Sequence, residues 1–377
     1  MIVDELKGIP QAWREFLHAS GLVYDPQTQV DLLASALGSQ FLLFAGPSGT
    51  GKSTAAKILS YFLTPPDRQT ILDVRPAWES LEDVVGQYSA FTDTFLDGPA
   101  TAELVRLAGT PESDNPHVMI VEEANLSEME AYLGPVVTSA SATQFERLIW
   151  PLHRHTASEP RPKDKPPLPP REIELKPWPR TFGTINVDPT ATAPAPKVSG
   201  RACVVLLEPP EIDSALASTE ALTALTRLPP APPGAVLFGD PRRAWSSYVM
   251  AGDEGRFREA LSPLLETLRV SAGNGKNVVS PRDVQRSVLY MAWHVPLAEA
   301  ATTAAIEGVL SSDTAAAENA VLHFVLPGLS AEQFRRCLEP LTDVAQSGGL
   351  LRRRLERLSG GGEGLFGVPA DFWASLS

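Results

Sequence analysis

Eight consecutive residues, Gly46-Pro47-Ser48-Gly49-Thr50-Gly51-Lys52-Ser53, satisfy every required position of the pattern G-x-x-x-x-G-K-[ST]. Glycines at these positions let backbone N–H groups turn inward around phosphates, and a helix starting at the lysine presents its positive end to them. In such a loop Lys52 reaches the β and γ phosphates, the Ser53 hydroxyl ligates Mg²⁺, and Thr54 carries the chain into the helix. Splitting a phosphoanhydride also needs an acid beside the metal and a base for the attacking water. Val118-Met119-Ile120-Val121-Glu122-Glu123 offers two carboxylates after a short apolar run: Glu122 to hold the metal through its water shell, Glu123 to orient and polarise the water. The bland alternative is a solvated acidic pair opening a helix.

Two further polar residues stand where such a site needs them. Asn186 ends the run Thr181-Phe182-Gly183-Thr184-Ile185 and suits a sensor of the γ phosphate, although an Asn at a strand end is by itself more often a turn residue. Arg201 precedes the run Cys203 to Leu207, from which it can reach into a neighbouring subunit's site; an arginine supplied in trans accelerates such hydrolysis by about 10³–10⁵. Arg282, next to the helix-opening pair Ser280-Pro281, is a candidate lid arginine closing onto nucleotide, and is as readily a solvated first-turn residue. His153 and His155 form an H-x-H pair with no third ligand nearby, so the segment is read as a surface hairpin and loop. Arg352-Arg353-Arg354 with Arg357 is either a phosphate- or acid-binding patch or a solvated helix face.

The elements around these residues alternate. Short apolar runs at Phe41 to Ala45, Ile71 to Val74, Val118 to Val121, Phe182 to Ile185 and Cys203 to Leu207 have the character of buried parallel strands. Helix-length segments lie among them: Ile9 to Leu22, the stretch around Val30 to Leu37, Thr54 to Phe62, Ala102 to Leu107 and Leu126 to Ser139. The pattern predicts an α/β, doubly wound parallel sheet. From Phe257 onward apolar residues recur only at helical spacing, which predicts an all-helical second domain. The expected organisation is a helical segment at 1–21, a nucleotide-binding domain at 22–215 with an insertion at 150–179, a proline-rich connection at 216–255 and a helical lid at 256–377.

The whole-chain numbers narrow the classes. A net charge of −13 is wrong for a surface that coats nucleic acid, so any DNA contact is local, through a pore, or made by a partner. Two distant cysteines, Cys203 and Cys337, suggest neither a disulfide framework nor a zinc site. The lack of a membrane-length apolar run or a signal-peptide pattern predicts a cytoplasmic protein.

In order and type these motifs resemble the AAA+ nucleoside triphosphatases, and within them the McrB-type branch of restriction and phage-defence motors. Three segments carry the closer resemblance: Asp73-Val74-Arg75-Pro76-Ala77-Trp78-Glu79-Ser80 with Val85-Gly86; Gly183-Thr184-Ile185-Asn186-Val187-Asp188-Pro189-Thr190 running on to Pro196-Lys197-Val198-Ser199-Gly200-Arg201-Ala202; and Phe324-Val325-Leu326-Pro327-Gly328-Leu329. The resemblance implies a five-stranded sheet, Mg²⁺ with ATP (or GTP) as cofactor, a homo-oligomeric, six-membered ring, and a separate McrC-like or restriction-endonuclease-like nuclease subunit. Two departures stand out. Glu122 occupies a position usually held by Asp, and Gly200 one often held by Asp. A MoxR-type protein-remodelling chaperone uses the same motifs, and a low-turnover nucleotide switch is the third reading.

Overall fold

The computed structural model describes residues 6, 8–109, 117–140, 148–154, 166–175, 179–187, 192–208, 253–272, 278–360 and 372–373. Most of the proline-rich connection and the second histidine of the H-x-H pair, His155, lie outside them. Helices α1 (Ile9–Ala19) and α2 (Pro26–Gly38) lead into strand β1 (Phe41–Gly46), and α3 (Lys52–Leu63) leaves it. Strand β2 (Gln69–Asp73), the short helix α4 (Glu82–Val85), a hairpin of β3 (Gly86–Ser89) and β4 (Thr94–Asp97), and α5 (Thr101–Ala108) follow. Then come β5 (Val118–Glu122), the short helices α6 (Met129–Tyr132) and α7 (Gly134–Ser139), and a second hairpin of β6 (Leu148–Pro151) and β7 (Glu172–Leu175). Strand β8 (Arg180–Asn186), one helical turn α8 (Pro196–Ser199) and β9 (Cys203–Leu206) complete the α/β part.

The five-stranded sheet runs β2-β5-β8-β1-β9, and every pairing in it is parallel. Side chains alternate faces along a strand, yet all six residues of β1 and all four of β9 are buried, so both faces of the sheet are covered. This is the doubly wound α/β sheet that the spacing of apolar runs predicts. Helix α1 is bound to it: Trp13 and Phe16 place their rings 4.9 and 5.6 Å from Phe62 of α3, and Trp13 Nε1 donates to Gln29 O at 3.0 Å. Each such aromatic pair adds roughly 0.5–1.5 kcal/mol beyond its area burial.

One predicted helix is not continuous. The stretch read as Leu126 to Ser139 is a 3-10 turn (Ala124–Leu126) followed by α6 and α7, broken at Leu133 where φ and ψ are −105° and 23°. Pro135 fits the break: it has no N–H to continue the hydrogen-bond ladder of α6, and it stands in the first turn of α7, where that N–H is not needed.

From Asp253 on the described residues are helical, as their spacing predicts: α9 (Asp253–Ser271), α10 (Pro281–Thr303), α11 (Asp313–Phe324), α12 (Ala331–Val344) and α13 (Leu350–Gly360). Helix α10 packs along α2 and α11 against β9. A buried polar network bolts these elements together. His323 of α11 directs Nδ1 at Val204 O, 2.7 Å away, and Nε2 at the Asp31 carboxylate of α2, 2.8 Å away. Both ring nitrogens therefore face acceptors, the imidazole holds both protons, and the Asp31 carboxylate is its counterion. Tyr290 of α10 donates to the same carboxylate.

The basic run of α13 is only partly a solvated face: Arg354 is buried and Arg357 exposed. Arg354 donates to Leu206 O at 2.9 Å and pairs with Glu208, Arg357 also pairs with Glu208, Arg353 reaches Asp25, and Arg352 pairs with Glu356. Arg354 and Arg357 tie the last described helix to the end of β9, and Arg353 ties it to the start of α2. No helix among the described residues is long and apolar enough to cross a membrane.

Candidate functional site

Three strand ends of the parallel sheet converge on the candidate site. Gly46 ends β1, and the register sets it opposite Asn186, the last residue of β8; Glu122 ends β5, the other neighbour of β8. Open α/β sheets bind ligands at these carboxyl ends, where no further strand blocks the crevice. The sheet thus brings the glycine loop, the acidic pair and Asn186 to one edge, although they are far apart in sequence.

The loop has the backbone that a phosphate cradle needs. Gly49 and Gly51 have φ of 84° and 80°, a region that costs a side-chain-bearing residue about 1 kcal/mol or more. Gly51 is also the residue from which α3 starts, so Lys52 and Ser53 occupy the helix's first turn. Thr50 Oγ1 donates to Pro47 O at 3.0 Å and braces the turn. The Lys52 ammonium, on a side chain only 7% exposed, donates to Gly46 O at 2.9 Å and Pro47 O at 2.6 Å. A row of turned-in amides, a helix N-terminus and a lysine make a donor set suited to a polyphosphate, with Ser53 suited to its metal. Among the described residues no group of three or more His, Cys, Asp or Glu could hold a metal ion on its own. A magnesium ion arriving with a polyphosphate needs no such cage, because phosphate oxygens supply much of its coordination.

Past Glu122 the chain turns sharply. Glu123 adopts a left-handed conformation, φ 51° and ψ 45°, uncommon for a residue with a side chain, and strain of this kind persists only where neighbours hold it. The holders are visible. Glu123 N donates to Thr184 Oγ1 of β8 at 3.0 Å. Asn125 accepts from Asn186 N at 3.2 Å and donates to Asn186 O at 2.8 Å and Thr192 O at 3.1 Å. Tyr132 donates to Ala124 O at 2.7 Å and stands edge-on to Trp78, the aromatic residue of the segment after β2. Ser127 Oγ donates to Arg75 O of the same segment at 2.9 Å. Glu123 is left exposed at the strand end with its backbone fixed.

Glu122 has a partner that its sequence neighbours do not announce: Lys57 Nζ of α3 lies 2.5 Å from its Oε1. Lys57 is one helical turn beyond Ser53, which sets it on the same side of α3. Arg201 and Arg282 are brought near each other. Desolvation and the like charge of Arg282 lower the pKa of Arg201, whose Nε and Nη1 have no hydrogen-bond partner among the described residues. Ser280 caps α10 in a full capping box with Asp283, so Arg282 is held in the helix's first turn. His153 of the H-x-H pair is packed between Tyr88 and Phe95 of the first hairpin, its Nε2 3.0 Å from Pro169 O.

Residues 22–116 match the family of magnesium chelatase, subunit ChlI. The match includes the glycine loop and the first hairpin and stops before the strand that carries Glu122. Among solved structures, a Cytophaga hutchinsonii protein described as a "putative ATPase" is similar at 13% identity, over 86% of this chain and 88% of that one, with a TM-score of 0.46. No curated protein matches the sequence.

Asn125, Thr184 and Lys57 were not legible as site residues in the sequence. Lys57 had one faint signal, its four-residue spacing from Ser53. Asn125 and Thr184 had none, because each acts through a contact between segments 61 residues apart.

Proposed function

We propose that the chain is an AAA+ nucleoside triphosphatase that binds Mg·ATP, with GTP the other candidate, and hydrolyses it within a homo-oligomeric ring. The observation that carries this reading is the convergence of the glycine loop Gly46–Ser53, the pair Glu122-Glu123 and Asn186 on adjacent carboxyl ends of parallel strands. The loop amides and Lys52 would hold the triphosphate, with Ser53 and Glu122 holding its magnesium; the bound metal nucleotide supplies an activated γ-phosphoryl group. Glu123 would orient the attacking water, and Asn186 would sense the γ phosphate. Arg201 would act on a neighbouring protomer's nucleotide, and Arg282 would close the helical lid. The match to the magnesium chelatase family over residues 22–116 supports the nucleotide-loop part of this reading.

The larger role follows the sequence resemblance: a McrB-like motor, in a six-membered ring, that powers or gates a nuclease subunit acting on DNA. The domain limits at 22–215 and 256–377 belong to the same reading. Calorimetry with Mg·ATP and Mg·GTP and a phosphate-release assay test the core of it. Lys52→Ala should abolish binding, and Glu123→Gln should bind but turn over at least about 100-fold more slowly; normal turnover in either variant refutes the site. Capture of a nuclease-like partner, as against a von Willebrand A-domain partner, separates the motor from a MoxR-type chaperone. The Lys57–Glu122 ion pair favours a second reading, a low-turnover nucleotide switch, because it engages the carboxylate meant for the metal. Phosphate release measured across ring-forming concentrations distinguishes the two.

A further inference from the structure

Arg201 sits on the turn between α8 and β9, and that turn is gripped from outside by the helical half of the chain. Arg286 of α10 donates Nη1 to Gly200 O at 3.0 Å and Nη2 to Ala202 O, so one guanidinium holds the carbonyls on both sides of Arg201. Its plane is seated on the Phe324 ring of α11, with Cζ 4.5 Å from the centroid. Burial lowers the Arg286 pKa to about 10, which leaves the group charged at neutral pH and both bonds charge-assisted. Arg282 lies one turn earlier on the same helix and therefore on the same side.

We propose that Arg286 is a positioning residue: it locks the Arg201 turn to α10, so that Arg201 is carried with this helix of the lid and presented to a neighbour's triphosphate in a fixed orientation. Lysine could not replace it in full, because an ammonium is a single point on a flexible stem and a guanidinium is a planar fork that spans two acceptors at once. Within the turn itself the Arg201 N–H donates to Val198 O at 2.9 Å, as does the N–H of Ala202. Lid movement on nucleotide binding would then carry the Arg201 side chain with it. The inference rests on the reading of Arg201 as a residue that acts on a neighbour's nucleotide.

The test uses the full chain under ring-forming conditions, with wild type and Arg201→Ala as references. Arg286→Met keeps an apolar stem on Phe324 and loses both bonds. It should lower kcat by about 10–100-fold, the cost expected of a group displaced by about 1 Å, and leave KM and nucleotide affinity within about twofold. Mixing it with Lys52→Ala subunits, whose Arg201 is correctly held, should restore turnover at the intact loops, as it should for Arg201→Ala. Arg286→Lys should fall between wild type and Met, and it carries the same test if the Met variant fails to fold. The proposal is overturned if kcat is unchanged, if KM rises with kcat intact, or if mixing rescues Arg201→Ala but not the Arg286 variant. If Arg201→Ala itself turns over normally, the reading of Arg201 fails and this inference falls with it.

Discussion

Replacing Asn125 by Asp changes one atom pair and should silence turnover more than removing the side chain does. The Asn125 amide is oriented by its partners: Nδ2 faces two carbonyls, Asn186 O at 2.8 Å and Thr192 O at 3.1 Å, and Oδ1 faces the N–H of Asn186 at 3.2 Å. Alanine loses three part-exposed hydrogen bonds, worth about 1 kcal/mol each at most, and lets water take their place. Aspartate keeps the bond from Asn186 N but points a carboxylate oxygen at two carbonyl oxygens. Two favourable contacts become repulsive, for a cost of about 2–4 kcal/mol unless the strand end moves away. Moving it displaces Asn186 and loosens the strained Glu123 turn together, and a displacement near 1 Å costs about 100-fold in rate. Single-turnover phosphate release from saturating Mg·ATP should therefore fall in the order wild type, Asn125→Ala, Asn125→Asp, while nucleotide affinity at the glycine loop changes little. An Asp variant that hydrolyses as fast as wild type, under conditions where Asn186→Ala is slow, would refute the claim that Asn125 sets the geometry of this strand end.

Three other outcomes follow from the same coordinates. Lys57→Met frees Glu122 from an ion pair whose partners are 37% and 21% exposed; such a pair is worth about 0.2–1 kcal/mol, so the Mg²⁺ concentration for half-maximal hydrolysis should drop by about 1.4- to fivefold in a magnesium titration. Arg180, buried with its pKa lowered to about 10, directs Nη1 at Leu37 O and Ser39 O at the C-terminal end of α2; Arg180→Met should cost about 2–4 kcal/mol in urea unfolding by leaving those carbonyls unpaired. Stability should depend on pH in two limbs. Burial, aided by Arg68 for His117, lowers His117 and His294 to about 4, so between pH 6.5 and 4 the unfolded chain binds more protons and acid destabilises the fold. His323, although desolvation opposes it, is raised by Asp31, so its contribution is complete below pH 6.5 and is lost as pH climbs through its folded value. Urea midpoints followed from pH 4 to 9 should therefore rise and then decline, and Asp31→Asn should remove the alkaline decline while costing about 3–5 kcal/mol at neutral pH.

What could be read without coordinates was whatever depends on near neighbours in the chain. The strands β1, β5, β8 and β9 stood out within a residue or two at most boundaries because parallel strands buried on both faces are largely apolar, whereas the edge strand β2, with alternating burial, showed only its Ile71-Leu72 core. The phosphate loop was legible because the backbone it requires is encoded in two glycines and a lysine within eight residues. The first hairpin and the full length of α11 were less visible. Strands β3 and β4 are four residues each with mixed burial, and α11 is buried nearly all round, so it lacks an amphipathic stripe. Residues whose meaning is a contact could be placed only by the tertiary structure. Arg352 to Arg357 was a basic run until Glu208, Leu206 O and Asp25 were seen to take up its charge. Asn125, Lys57 and Arg286 carry no pattern of their own, because the atoms they hold belong to strands and turns distant in sequence. Local chemistry is written in spacing, whereas the positioning of that chemistry is a property of the packed sheet and of the helices closed over its edge.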